Sequence, residues 1–469
     1  MQAQRQPNIL FILTDDQRFD TIHALGNPAI QTPNLDRLVA RGTAFTNAHI
    51  PGGTCGAVCM PSRAMIHTGR TLFHLQDHGA EVPDEHALLG ETLRSAGYNC
   101  FGTGKWHNGG RAYARSFSDG AEIFFGGMWD HWNVPACQFD PTGRYDQWRP
   151  AIRNPWLSRQ ITQVCADHVH LGTHSTDLFT DASMAFLEKQ QTRQDPFFLY
   201  LSHMAPHDPR SMPAKYLEMY ADTEVSLPDN FLQEHPFDYG ISQIRDEKLA
   251  SQPRTPEEIR QHLREYFAMI THLDDQIGRL FAVLEQQGIL KDTIIVLAGD
   301  NGLALGQHGL MGKQSVYDHS VRIPLLMAGP GIPENSTRDA FVYLMDIYPT
   351  LCDCIGIPIP ETVEGMSFKG ILDDTAASQR DALYLAYEDR IRAIKDHTFK
   401  YIRYRTDSGV VEQLFNLKED PLEIKNLAAN PAFAGVLADY RSRLDSMKED
   451  WEDQPHPLSS AFWNHGLSG

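Results

Sequence analysis

The chain has 469 residues, 42% of them hydrophobic and 22% charged, a make-up that suits a globular protein with one large domain and a smaller one. Acidic residues outnumber basic ones by 60 to 41, for a formal charge of −19, which argues against nucleic acid as a partner and obliges any anionic ligand to find a local positive site. No stretch approaches the roughly 18 apolar residues of a membrane span. The polar start from Met1 to Asn8 lacks the apolar core of a secretory signal, so a cytoplasmic protein without membrane contact is expected.

In chain order, Asn8 to Thr14 reads as a buried strand that stops at Asp15 and Asp16. Asn34 to Ala40 has helical spacing after a Thr-Pro start, and a second helix over Leu88 to Ala96 is closed by Gly97. Residues 108–172 are rich in Gly, Trp, Asp and Arg without sustained periodicity. They either shape a binding cleft or form a covering insert that packs Trp129, Trp132, Trp148 and Trp156.

A helix near Thr176 to Lys189 leads to a second buried strand, Pro196 to Ser202, which runs into His203, His207 and Asp208. His203 reads as a packing residue. Tyr266 to Leu284 carries an apolar helical face. Thr293 to Ala298 is the clearest strand and ends at Gly299-Asp300-Asn301. Three strands thus end in titratable or metal-friendly residues, at the sheet edge where parallel α/β proteins build their sites. Pro- and Gly-rich sequence around Gly356 to Gly370 marks a boundary, beyond which Ala382 to Tyr404 and Val410 to Leu417 read as a small antiparallel sheet, followed by a helix near Ala434 to Glu449. The expected organisation is a catalytic domain over 1–370 and an α+β subdomain over 371–469.

Asp15, Asp16, Asp300 and Asn301 are hard oxygen donors, suited to Ca²⁺ or Mg²⁺ and not to a soft metal. The seven cysteines, odd in number and scattered, form no disulfide framework. Cys352 and Cys354, with no matching second pair, read as buried thiols.

Cys59-Met60-Pro61-Ser62-Arg63 is followed by Ala64-Met65-Ile66-His67-Thr68-Gly69-Arg70. The run resembles the signature of the type I sulfatases of the alkaline phosphatase superfamily, Cys-x-Pro-Ser-Arg and then Thr-Gly-Arg at this spacing. That family often has Leu where His67 stands, a departure expected to touch packing more than chemistry. Gly97-Tyr98 through Gly104-Lys105-Trp106-His107 is similar to the second signature, with Cys100 and Thr103 departing from it. Pro206-His207, Gly299-Asp300-Asn301-Gly302 and Lys313 fall at the family's intervals. Glu412 to Leu417, with Asp420-Pro421 and Asn426-Leu427, looks like its C-terminal hairpin.

The resemblance implies an alkaline phosphatase-like α/β fold, a large mostly parallel mixed sheet sandwiched by helices. It also implies a formylglycine-generating enzyme as a partner that oxidises Cys59 to Cα-formylglycine. One divalent ion, Ca²⁺ or alternatively Mg²⁺ or Mn²⁺, is then held by Asp15, Asp16, Asp300, Asn301 and residue 59. Hydrated to a geminal diol, residue 59 attacks sulfur in line, while Arg63, Lys105 and Lys313 join the metal around the sulfuryl group. His207 protonates the departing alcohol, and His107 takes the proton whose loss expels sulfate. His308 is a candidate substrate or leaving-group contact.

The expected substrate is a small-molecule or saccharide sulfate ester, with aryl, choline and sugar alcohols all open. Trp129, His131, Trp132, Arg144, Trp148 and Arg149 either stack on it or belong to the core. Two other readings remain: a phosphonate monoester or phosphodiester hydrolase on the same site, and an inactive binding module. The tail from Trp451 to Gly469 is either a contact in a homo-oligomer or a wrap onto its own domain.

Overall fold

Successive side chains of a strand point to opposite faces, and in Asn8–Thr14 (β1) both faces are buried. Ile9, Phe11 and Leu13 enter one apolar cluster, Leu10 and Ile12 another. A computed structural model describes residues 6–152, 161–223 and 225–464; Trp156 and the last five residues of the tail lie outside the described residues. Strands β2 (Gly42–Phe45), β3 (Asn99–Lys105), β4 (Asp119–Phe124), β5 (Phe197–Ser202), β6 (Thr293–Gly299), β7 (Leu325–Ala328) and β8 (Ser336–Arg338) complete an eight-stranded sheet with β1. Its order is β8-β2-β7-β6-β1-β5-β3-β4, and β7 alone runs against the rest. The α/β class and the large mixed sheet are as expected.

Helices α1 (Pro33–Arg41), α2 (Cys59–Thr68), α3 (Ser175–Gln190) and α4 (Pro256–Gln286) cover the sheet. Helix α4 begins ten residues before the apolar face read from sequence. Pro256 sits at its first turn, and the Thr255 side chain accepts from Glu258 N, so a polar cap starts what the apolar stripe continues. Phe179 and Phe186 of α3 and Leu273, Ile277, Leu280 and Phe281 of α4 pack on one face of the sheet.

The cluster on the opposite face runs on without a break into a five-stranded sheet. Four of its strands, Leu383–Tyr387, Ile391–Lys395, Phe399–Thr406 and Gly409–Asn416, form the expected antiparallel meander. The fifth is Gly52–Gly53, which pairs parallel to Leu383–Tyr387. Only glycine fits here: Gly52 has φ +111°, and a Cβ would meet Ala386 O at 1.9 Å. The chain leading to Cys59 is thereby pinned to the small sheet.

Residues 108–172 are more ordered than their composition suggests. They hold a helix at Gly110–Ser116, the edge strand β4, and short pairs between Pro135–Ala136 and His168–Val169 and between Trp148–Ile152 and Ile161–Cys165. Asp-Gly-Ala-Glu is a poor strand former, and β4 exists because β3 offers it a ladder. Cys352 is buried and Cys354 partly so, on the helix Ile347–Ile355, and neither belongs to a metal-competent group among the described residues. The described tail folds back: Trp451 stacks on Tyr384 at 5.6 Å, and buried Asp453 accepts from Arg392, Tyr384 and Trp463. Among the described residues, no helix is long and apolar enough to cross a membrane.

Candidate active site

Register brings the carboxyl ends of four strands to one level. Thr14 lies beside Gly299, Leu13 beside Ser202, and Ser202 beside Gly104, so Asp15, Asp300, His203 and Lys105 emerge together. Gly104, at φ +91°, passes so close to Ser202 O that a Cβ would stand 1.9 Å from it. That explains why glycine precedes the lysine: the strand must turn here to carry Lys105 inward.

Helix α2 enters from the other side with Cys59 as its first residue. Ser62 Oγ donates to Asp300 O, and Gly69, with φ +65°, closes the last turn. The Cys59 Sγ therefore sits at the helix N-terminus, 3.5 Å from Lys105 Nζ and 3.5 Å from His107 Nδ1. It opens on a cavity of about 320 Å³ lined also by His107, His207, Lys313, Arg245 and Gln314.

Behind Sγ the charges interlock. Lys105 bonds to Asp15; Lys313 Nζ donates to Asp16 Oδ1 at 2.6 Å, and Asn301 Nδ2 donates to the same oxygen at 2.6 Å. Arg63 Nε donates to Asp300 Oδ2 at 2.9 Å, while Nη1 reaches Lys105 O and Ser202 Oγ. The Asp16 N–H donates to Asp300 Oδ1 at 3.0 Å. His207 pairs Nδ1 with Asp208 O at 2.7 Å and has Nε2 3.6 Å from Asp16 Oδ2. The His207 carbonyl is in turn held by His131 Nε2 at 2.9 Å.

Burial by itself would raise the Asp15 carboxyl, but Lys105 and then Arg63 outweigh it and hold the group far below the usual carboxylate range. Burial, and next the Asp15 charge, pushes Asp300 up to about 6. Burial also pushes the Cys59 thiol up against the pull of Lys105 and Lys313, and holds the His107 ring well below its ordinary value, with Lys105 adding to the effect. Burial would lower Lys313, but Asp16 lifts it well above the ordinary range.

This donor set fits a hard divalent cation. Asp15 Oδ1 and Asn301 Oδ1 are buried acceptors without a hydrogen-bond partner among the described residues, at the centre of a three-carboxylate cluster. Ligand atoms of Asp15, Cys59 and Asp300 lie within 4.8 Å of one another, as do those of Asp15, Asp16 and His207. Oxygen donors left without hydrogen donors are what Ca²⁺ or Mg²⁺ require.

Ten of the eleven residues singled out from sequence converge here: Asp15, Asp16, Cys59, Arg63, Lys105, His107, His207, Asp300, Asn301 and Lys313. Arg63 is placed differently from expectation. It is fully buried and spends its guanidinium on Asp300, Asp15, Lys105 O and Ser202, so it organises the carboxylates and does not line the cavity. His308 is absent from the lining; its ring stacks on Tyr317 at 3.9 Å and 7°, and Nε2 meets Asn230 Nδ2. His203 is buried, as a packing residue would be.

Of the aromatic and basic insert residues, none lines the cavity; Trp148 is exposed and Arg149 bonds to Ala166 O and Asp167 O. The wall comes instead from Gly127 and Met128 of the same segment, and from Ile244, Arg245, Asp246 and Gln314. Sequence reading missed these. Only Gln314, next to Lys313, had a neighbouring motif to point to it.

Residues 7–357 match the family model "Sulfatase", and residues 306–450 match "N-sulphoglucosamine sulphohydrolase, C-terminal". The chain is 26% identical to the N-acetylglucosamine-6-O-sulfatase of Bacteroides thetaiotaomicron, over 96% of this chain and 88% of that one. Among solved structures, one enzyme in complex with its substrate D-glucosamine-2-N,6-O-disulfate superposes with a TM-score of 0.74 at 24% identity, covering 96% of this chain and 99% of the other. The phosphonate monoester hydrolase of Agrobacterium radiobacter has a TM-score of 0.73 at 22% identity, covering 95% and 96%. These two superpositions speak for the fold.

Proposed function

This chain belongs to the sulfatase family, hydrolases of sulfate esters in the alkaline phosphatase superfamily, and from that premise we propose that residue 59, oxidised to formylglycine, supplies the nucleophile at the floor of the cavity. The observation that carries the reading is the placement of Cys59 Sγ, facing the cavity with Lys105 Nζ and His107 Nδ1 each at 3.5 Å. Sγ stands here for the oxygens that oxidation and hydration of the side chain would install. Because Cys59 is only 2% exposed and packed into α2, the modifying enzyme acts before this segment folds.

Asp15, Asp16, Asp300 and Asn301 would hold a hard divalent cation, Ca²⁺ or Mg²⁺. When bound, it supplies Lewis-acid stabilisation of negative charge at the sulfuryl oxygens. Lys105 and Lys313 add two fixed cations on the same side, pre-oriented by Asp15 and Asp16, where charge develops as the ester bond breaks. Arg63 keeps Asp15 and Asp300 in place. His107, its Nδ1 on residue 59, accepts a proton from that side chain. His207 is held at Nδ1 by Asp208 O, which leaves Nε2 to protonate the leaving alcohol oxygen.

The cavity accommodates a single ring, and Arg245, Asp246 and Gln314 offer hydroxyl partners on its wall. We therefore assign a sulfated monosaccharide or an oligosaccharide end as the substrate class, in line with what the relatives' names state.

The test is peptide mass spectrometry across residue 59 on protein co-produced with a formylglycine-generating enzyme, with rates on matched aryl sulfate and aryl phosphonate esters. Aldehyde at 59 and a sulfate preference are expected. A clear preference for the phosphorus ester would put the phosphonate hydrolase reading in first place. Unmodified Cys59 in the native host would favour an inactive module.

A further inference from the structure

Away from the cavity floor, Glu122, His168 and His170 gather three metal-competent side chains on the outer edge of the large sheet. Glu122 lies in β4, where pairing with β3 slips between Gly102 and Gly104. The slip leaves Glu122 at φ +52°, a conformation that a residue with a full side chain rarely adopts. Such irregularities re-aim a side chain. Here the carboxylate meets the segment that returns from the insert: His168–Val169 pairs with Pro135–Ala136, and residues 168 and 170, two apart on extended chain, point the same way.

His168 Nε2 stands 2.8 Å from Glu122 Oε2, and His170 Nε2 stands 3.2 Å from Oε1. The rings meet edge to face, centroids 5.1 Å apart, and all three ligand atoms lie within 4.8 Å of one another. In a tetrahedral site with bonds of about 2.0 to 2.1 Å, neighbouring ligand atoms sit roughly 3.3 Å apart. The two nitrogen-to-oxygen spacings, 2.8 and 3.2 Å, lie within about half an ångström of that value, and the two imidazole nitrogens lie within 4.8 Å of each other. The Glu122 side chain is 12% exposed, but His168 and His170 are 26% and 43% exposed, so an ion can enter from solvent.

The alternative is a plain ion-pair cluster. Among the described residues no Lys or Arg pairs with Glu122, whose side-chain partners are the two imidazoles and, at 3.5 Å, the Gln138 amide. A cation held between the three side chains would give this carboxylate, 12% exposed, the fixed positive partner that no Lys or Arg supplies. Two imidazoles and one carboxylate select a borderline first-row ion, unlike the all-oxygen set beside Cys59. The other histidine cluster does not compete. His174 Nδ1 accepts from Thr176 N, and its Nε2 is taken by Ser211 O, so both nitrogens are used.

We infer that Glu122, His168 and His170 form a second metal site, for Zn²⁺ or a like first-row divalent ion. Ligation would tie edge strand β4 to the returning insert, five residues before Gly127 and Met128 enter the cavity wall.

The test uses tag-free full-length enzyme, its active site saturated with Ca²⁺, titrated with Zn²⁺ by calorimetry and with Co²⁺ by visible absorption. Wild type should take one equivalent with micromolar or tighter affinity and show the ligand-field bands of a low-coordinate Co²⁺. His168→Asn/His170→Asn should bind at least tenfold more weakly and lose those bands, while turning over an aryl sulfate as wild type does. If that double variant fails to fold, His170→Asn alone, at the most exposed ligand, should show the same tenfold loss. Absence of stoichiometric uptake by wild type, or uptake unchanged in the variants, overturns the assignment.

Discussion

His67 offers a sharp test of the packing behind the active site. Its ring is 1% exposed, lies 4.4 Å from Trp106 and 4.8 Å from Tyr200, and has no hydrogen-bond partner at either nitrogen among the described residues. Burial, with Arg63 adding to it, lowers the ring to about 3. Replacing it by leucine, of similar volume, removes an unsatisfied polar group costing about 1 to 3 kcal/mol and forfeits aromatic contacts of about 0.5 to 1.5 kcal/mol. His67→Leu should therefore stabilise the fold by about 1 kcal/mol at pH 7.5.

Below pH 6.5 the difference grows. The unfolded chain takes up a proton that the folded chain refuses until about pH 3, so wild type loses about 1.4 kcal/mol per pH unit that the variant keeps. At pH 5 the gap widens by roughly 2 kcal/mol. Urea unfolding of both proteins at pH 7.5 and pH 5.0 reads this directly, and the other buried histidines cancel in the comparison. A gap independent of pH would mean that the ring is charged or hydrated in the folded protein, and the argument from burial would fall.

Three further outcomes are expected. His207→Ala should lower kcat by about 100-fold or more on an alkyl sulfate but much less on 4-nitrophenyl sulfate, whose leaving group needs no acid; equal losses on the two esters would remove His207 from that role. Lys313→Ala should cost about 100- to 1,000-fold in kcat/KM, with Ca²⁺ affinity measured in parallel; a loss explained wholly by weaker cation binding would make Lys313 a partner of Asp16 only. Asp453→Ala leaves buried Arg392 without its carboxylate and should destabilise the protein by about 3 to 5 kcal/mol, read as a drop in the urea midpoint; an unchanged midpoint would show that the tail contributes nothing to the fold.

Much of the site could be read before folding was considered, because its residues follow apolar runs that have only one way to be buried. Asn8 to Thr14 and Thr293 to Gly299 are apolar on both faces, so they become central strands, and the polar residues after them, Asp15, Asp16, Asp300 and Asn301, must lie at the sheet's carboxyl edge. Cys59 to Arg63 and Gly104 to His107 are short motifs whose spacing is itself the information. What sequence could not supply was the identity of partners far away in the chain. Arg63 meets Asp300 across 237 positions and is drawn in among the carboxylates; His308 stacks on the face of Tyr317, away from the cavity lining. Gly52–Gly53 joins a sheet built more than 300 residues later, and β4 is a strand only because β3 offers it a ladder. Glu122 reaches His168 and His170 through that same pairing. Local pattern settles which segments are strands and helices and what stands at their ends, because burial and periodicity act over a few residues. Tertiary packing decides which charges meet, because each such contact depends on chain folded from elsewhere.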